Sequence, residues 1–194
     1  MTLVIGLHGA KGSGKDQFYK AARAAFPHLD VRKIAYADPI KNEVCRIFNL
    51  TGEEQYDQFK RTTMMFSLSG GYTWERVEGR QVVREIGMMM RRYDEHQFVR
   101  YVEDEIRKAP QAIWCITDLR FDNEMESIRN NLRGIVIKVN RGGVRYDGHV
   151  TETEFPDSQC DRVIHNVDLT LDQYNSLVVQ EMNNIMQSIA LVKE

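Results

Sequence analysis

The chain has 194 residues, 42% of them hydrophobic and 28% charged, and a formal net charge of −2. That length buries one substantial core, so a single domain with a small insertion is expected. The near-neutral charge excludes a protein that grips a nucleic-acid polymer along its backbone. Cys45, Cys115 and Cys160 are far apart and odd in number, which argues against a disulfide framework and for a reducing compartment. No Cys-x-x-Cys or His-Glu-x-x-His spacing supports zinc, and no apolar run approaches the roughly 20 residues a membrane helix needs. A cytoplasmic protein without a membrane partner is expected. The oligomeric state stays open, a homodimer included.

In chain order, Leu3-Val-Ile-Gly-Leu7 reads as a buried strand, apolar on both faces. A glycine-rich turn follows, then a helix from about Lys15 with Phe18, Ala22, Ala25 and Phe26 on one stripe. Val31 to Ala37 is a second strand, and Asp38-Pro39 supplies an N-cap and a first-turn proline for a helix burying Ile40, Val44, Ile47 and Phe48. Thr51-Gly-Glu-Glu54 has capping-box spacing. Residues 67 to 80, with Gly70, Gly71 and Gly79 around Tyr72 and Trp74, suggest a hairpin or loop. Helical patterns run from Val82 to Arg92, where Met88-Met-Met90 reads as core packing, and again after Asp94. Ala112 to Thr117 and Ile135 to Val139 are the third and fourth strands, with a short helix near Glu124 to Asn130 between them. Val163-Ile164 is a short fifth strand, and Thr170-Leu-Asp-Gln173 opens a last helix. Strands separated by helices imply crossovers, hence a mainly parallel five-stranded sheet in a three-layer α/β domain.

Gly9-Ala-Lys-Gly-Ser-Gly14-Lys15-Asp16 matches G-x-x-x-x-G-K, with Asp where Ser or Thr is usual, between a buried strand and a helix. Glycines let successive N–H groups turn inward as an anion nest, and the helix N-terminus adds partial positive charge. Gly9, Ala10, Lys11, Gly12, Ser13, Gly14, Lys15 and Asp16 are therefore the candidate ATP-binding residues, Lys15 supplying a point charge for the β- and γ-phosphates. A glycine-rich turn that binds nothing is the plain alternative. Asp16 can ligate Mg²⁺ directly, hold a metal-bound water, or only cap the helix.

The third strand runs into Thr117-Asp-Leu-Arg-Phe-Asp-Asn-Glu124, at the strand end where ligands of parallel α/β sheets collect. Asp118 is placed to steady Mg²⁺, and Arg120 to grip an acceptor phosphate in a bidentate fork. Asp118 and Asp122 could instead cap the next helix. Asp38 and Lys41 should reach the same sheet edge, and Arg84 is either a phosphate clamp or a solvated helical arginine. Tyr72 and Trp74 could stack on a base or pin a hairpin. His149 and Glu152 could hydrogen-bond within a polar loop or simply face water. His8 has no assigned chemistry.

These motifs, with Tyr36-Ala-Asp-Pro-Ile-Lys41, Arg84-Glu-Ile-Gly87, His149-Val-Thr-Glu152 and Asp161-Arg-Val-Ile-His-Asn166 in that order, resemble the bacteriophage-type deoxynucleoside monophosphate kinases, a branch of the P-loop NMP kinases. The similarity spans about residues 3 to 180. It implies a P-loop kinase fold with a helical acceptor-binding region at about 42–108 and a lid-like segment at about 140–160. It also implies Lys15 and the glycine loop on ATP with Mg²⁺, and Arg84, Arg120 and Asp38 on the deoxynucleotide side. A lid arginine would be Arg141, and Asn166 would lie near the adenine. The lid carries Arg141 and Arg145 in place of a rich cluster, and Gly70-Gly71-Tyr72 corresponds to none of the motifs above, which leaves base selection open.

An acceptor phosphate with a second pKa near roughly 6 is largely dianionic at neutral pH, so no general base is needed. Alignment and charge neutralisation carry the reaction. A P-loop kinase for another small phosphorylated metabolite, or a low-turnover nucleotide-binding switch, are the alternative readings.

Overall fold

The computed structural model describes residues 2–68, 73–144 and 154–191. Its backbone contacts fall into two compact units, Met1–Ala35 with Val102–Glu194, and Tyr36–Tyr101.

The first unit carries β1 (Leu3–His8), α1 (Lys15–Ala25) and β2 (Val31–Ile34), and resumes after the second unit. Its sheet has five strands, all parallel: β1, β2, β5 (Ile113–Ile116), β6 (Ile135–Arg141) and β7 (Arg162–Asn166), in the order β2-β5-β1-β6-β7. The expected parallel α/β sheet is thus present, with β1 at its centre. Alternation sends Leu3, Ile5 and Leu7 to one face, where they pack with Phe18 and Ala22 of α1 and with Tyr174, Val178, Met182 and Ile185 of α7 (Leu171–Leu191). Val4, Gly6 and His8 belong to the other face. There Gly6 is held against Ile128, whose Cδ1 would stand 2.4 Å from an added Cβ.

The layer on that second face departs from the expected single short helix. α6 (Asp122–Glu126) runs into a π-helical turn at Ser127–Asn131, in which Leu132 N donates to Ser127 O over 3.0 Å. Buried Glu103 accepts from Ser127 Oγ and Asn131 Nδ2, both at 2.7 Å, so one carboxylate ties the two ends of the wider turn.

The second unit holds α2 (Asp38–Ile47), α3 (Gly52–Arg61), an antiparallel hairpin of β3 (Thr63–Leu68) and β4 (Thr73–Glu78), and α4 (Gly79–Tyr93). α5 (Gln97–Arg107) begins in it and ends in the first unit. Among the described glycines Gly79 is the tightest approach: an added Cβ would lie 2.1 Å from Phe59 O.

Several local expectations shift. The second strand stops at Ile34, whose carbonyl takes the last ladder bond from Thr117 N at 3.1 Å. Helix α2 starts at Asp38 with Ala37 at the cap position, so Asp38 lies in the first turn and not at the N-cap. At Thr51 the helix starts where expected without the capping box; Gln55 Oε1 accepts from Thr51 N at 2.7 Å in place of Glu54. The Thr170 box forms reciprocally, with Gln173 N donating to Thr170 Oγ1 and Thr170 N to Gln173 Oε1. Met88 and Met90 are half-buried, but Met89 is exposed, because three consecutive helical positions cannot share one face.

Candidate functional site

The turn from Gly9 to Gly14 joins the central strand to α1, and three of its glycines sit at positive φ: Gly9 at 146°, Gly12 at 82° and Gly14 at 119°. Two are also forced by close approach. A Cβ on Gly9 would stand 2.4 Å from Val139 O and 2.8 Å from Ser13 Oγ; one on Gly14 would stand 3.0 Å from Asn166 Nδ2. Gly9→Ala should therefore combine backbone strain with a main-chain collision, costing about 2–4 kcal/mol. The melting temperature should fall by roughly 5–15 °C; an unchanged melting curve would contradict this loop geometry.

Four side chains hold or close the loop. Lys15 Nζ donates to Gly9 O (2.5 Å) and Ala10 O (2.9 Å), bringing the ammonium back onto the turn. Arg141, at the end of β6, donates from Nη1 to Gly12 O at 3.0 Å. Its register partner on β7 is Asn166, which donates from Nδ2 to Ser13 O at 2.9 Å. Tyr174 Oη donates to Gly14 O at 3.1 Å. Sheet register thus delivers Arg141 and Asn166 to consecutive loop carbonyls. Asn166, expected at the adenine from the family resemblance, is placed with its amide nitrogen on the loop backbone. Ser13 Oγ is buried with no hydrogen-bond partner among the described residues.

Asp16, in the first turn of α1, is two-thirds exposed and pairs through Oδ1 with Lys33 Nζ at 2.9 Å. Sequence reading did not pick out Lys33. The loop after β5 is shaped by Glu124, whose buried Oε2 accepts from Arg120 N (2.8 Å) and Phe121 N (3.2 Å). Leu119 is buried, while Asp118 and Arg120 on either side are half-buried. Side chains at alternate positions of this short stretch are thereby kept toward the surface at the carboxyl edge of the sheet.

His8, at the last position of β1, was unassigned in the sequence and proves to be a junction. Its Nδ1 lies 3.0 Å from Leu119 O, and Phe155 N donates to its Nε2 at 3.1 Å. Burial pushes its pKa down to about 4, so the ring is neutral at pH 7. The segment beginning at Glu154 is also gripped by Lys138, a nearly fully buried lysine in the middle of β6. Lys138 Nζ reaches Glu154 Oε1 (3.0 Å), Phe155 O (2.7 Å) and Asp157 Oδ1 (2.9 Å). Burial works against its charge, but bonds to Asp157 and Glu154 outweigh this and hold its pKa above the ordinary lysine value.

Asp38, Lys41 and Arg84 all lie in the Tyr36–Tyr101 unit. Asp38 and Arg84 are half-buried, and Lys41 Nζ pairs with Glu53 at 3.1 Å. Gly70, Gly71, Tyr72, Arg145, His149 and Glu152 lie outside the described residues.

No group of three or more His, Cys, Asp or Glu side chains converges on a metal position among the described residues. Asp16 is exposed and Asp118 half-buried, and carboxylate oxygens are the kind of hard ligand Mg²⁺ takes. No helix of the described residues is long and apolar enough to cross a membrane.

No family model matches the chain. The chain is 27% identical over 199 residues to a protein of Acanthamoeba polyphaga mimivirus named "Putative deoxynucleotide monophosphate kinase", covering 95% of this chain and 98% of the viral one. Among solved structures, a protein of Chloroflexus aurantiacus described as a "putative kinase" aligns over 94% of this chain and 97% of its own, at a TM-score of 0.46 and 11% identity. Shikimate kinase of Bacteroides thetaiotaomicron aligns over 95% and 98%, at a TM-score of 0.42 and 13% identity. The family resemblance carried by the motifs is therefore met by a full-length relative bearing that family's name.

Proposed function

We propose that this protein is a phosphotransferase that moves the γ-phosphoryl group of ATP onto a deoxynucleoside monophosphate. The observation that carries the reading is the Gly9–Gly14 turn at the carboxyl end of the central parallel strand. It has three positive-φ glycines, a lysine returning onto it, and an arginine from β6 at its rim. An orphaned buried hydroxyl on Ser13 fits the same use, since phosphate oxygens are strong acceptors. The acceptor assignment draws on the full-length mimivirus relative and its name.

In this reading the loop amides and the N-terminus of α1 bind the polyphosphate. Lys15 exchanges neutral carbonyl partners for charged phosphate oxygens, which make the stronger bonds. Asp16 and Asp118 would hold Mg²⁺, which would supply positive charge against the crowded phosphates. Arg120 takes the acceptor phosphate, with Asp38, Lys41 and Arg84 as acceptor-side residues of the Tyr36–Tyr101 unit. Arg141 neutralises the transferring group from the loop's rim. Because the acceptor is already anionic, these residues align and neutralise, and none needs to remove a proton.

A panel of the deoxy- and ribonucleoside monophosphates, a dephospho-coenzyme and phosphorylated alcohols, followed by coupled ADP detection, tests the reading. Turnover with one or more deoxynucleoside monophosphates is expected. Turnover confined to non-nucleotide acceptors would reject it in favour of a metabolite kinase. ATP binding without turnover on any acceptor would favour a nucleotide switch.

A further inference from the structure

A histidine closing an otherwise apolar buried strand is costly unless both ring nitrogens find partners. His8 is 1% exposed, and each of its ring nitrogens meets a backbone group far away in sequence. Leu119 lies between Asp118 and Arg120; Phe155 lies in the later part of the lid-like segment; His8 itself immediately precedes Gly9. The chemistry of these partners fixes the ring's proton. A carbonyl only accepts, so Nδ1 must carry the hydrogen; the Phe155 N–H only donates, so Nε2 must be bare. The Phe155 ring also lies against the imidazole, with centroids 4.6 Å apart, and Lys138 secures the same segment through Phe155 O.

We propose that His8 is a positioning residue for phosphoryl transfer, its two ring nitrogens fastening the Asp118–Arg120 loop and the Phe155 end of the lid-like segment to the start of the phosphate loop. The role rests on the function proposed above. It explains why a polar residue stands where Leu or Phe would fill the face with no polar group to satisfy. The three chain segments that carry Lys15, Arg120 and Arg141 are also linked through the sheet and through loop contacts such as Arg141 on Gly12 O. One neutral ring gives two of them a common reference point beside Gly9, and displacements of about 1 Å at such references can cost on the order of 100-fold in rate.

Two substitutions separate the bonds. Asparagine places an amide N–H as many bonds from Cγ as Nδ1, so His8→Asn keeps a donor for Leu119 O and loses the acceptor for Phe155. Glutamine places its Oε1 as far from Cγ as Nε2, so His8→Gln keeps the Phe155 acceptor and loses the Leu119 donor. Steady-state kinetics and thermal melts of both variants should show a split. His8→Gln should raise the acceptor KM roughly tenfold, and His8→Asn should lower kcat by roughly 10- to 100-fold with acceptor KM little changed, the range seen when supporting hydrogen bonds around a site are removed. Equal melting losses with wild-type kcat and KM in both variants would overturn the positioning role and leave a core histidine. If either variant fails to fold, nitrogen NMR of the wild-type ring decides. A protonated Nδ1 and bare Nε2 at pH 7 are expected; the opposite tautomer overturns the proposal. A wild type that transfers phosphate to no acceptor while keeping that tautomer would reject the kinase reading itself, which distinguishes the two failures.

Discussion

Lys15→Ala should lower phosphoryl transfer by roughly 10³-fold or more while the chain still folds. The size follows from where the charge sits: cationic groups on a transferring phosphoryl act on charge that grows in the transition state, in a site where water screens poorly. The fold should survive because Lys15 Nζ bonds Gly9 O and Ala10 O at the start of α1, contacts worth about 1–3 kcal/mol together. The loop has other supports, in Asn166 on Ser13 O, Tyr174 on Gly14 O and Arg141 on Gly12 O. A drop of several degrees in melting temperature is the most this loss should produce. Single-turnover transfer, nucleotide binding and thermal melts on the same preparation measure all three quantities. Turnover at the wild-type rate would overturn the phosphate-loop assignment. Lys15→Arg should rescue little, since a planar guanidinium cannot act as the compact, mobile point charge of an ammonium.

The strand–loop–helix unit from Leu3 to Ala25 was legible because its signals are local. An apolar run, fixed glycine spacing and a 3.6-residue stripe each lie within a few positions of one another. The alternation of strands and helices likewise announced a parallel sheet. What escaped was set by partners distant in sequence. Nothing within ten residues of His8 says that its nitrogens will meet Leu119 and Phe155, although a titratable side chain ending a fully apolar strand was itself a signal that partners must exist. Lys138, inside the apolar run Ile135 to Val139, carried the same signal and was passed over. Asn166 likewise meets a partner distant in sequence: family resemblance offers a role near the adenine, and β6–β7 register and the path of the loop put its amide nitrogen on Ser13 O. The small discrepancies have local causes: at Thr51, Gln55 reaches the exposed N–H that Glu54 was expected to take.

Arg120→Ala should lower kcat/KM for the acceptor by roughly 10²- to 10³-fold, with ATP affinity changed only a few-fold. Its backbone is pinned on both sides: Glu124 accepts the Arg120 and Phe121 N–H groups, and Leu119 is buried with its carbonyl on His8. The guanidinium therefore starts from a fixed Cα at the carboxyl edge of β5, so only the side-chain rotamers remain to be ordered on binding. A planar fork on a fixed base suits two oxygens of one phosphate, and such charge-assisted pairs are roughly twice as strong as neutral hydrogen bonds. Removing it should weaken the acceptor both on binding and in the transition state, which is why kcat/KM should change by more than the fall in kcat or the rise in KM alone. Arg120→Lys should recover only a small part, because an ammonium keeps the charge without the paired geometry. Glu124→Gln offers a graded control. It leaves the guanidinium intact but gives Arg120 N a neutral acceptor, so acceptor kcat/KM should fall less than in Arg120→Ala and in the same direction. Parallel titrations with an ATP analogue and with the acceptor locate the loss. If ATP affinity falls as far as acceptor affinity, Arg120 belongs to the donor phosphates, and the acceptor phosphate must be held by other cations, of which Arg84 is the first to test.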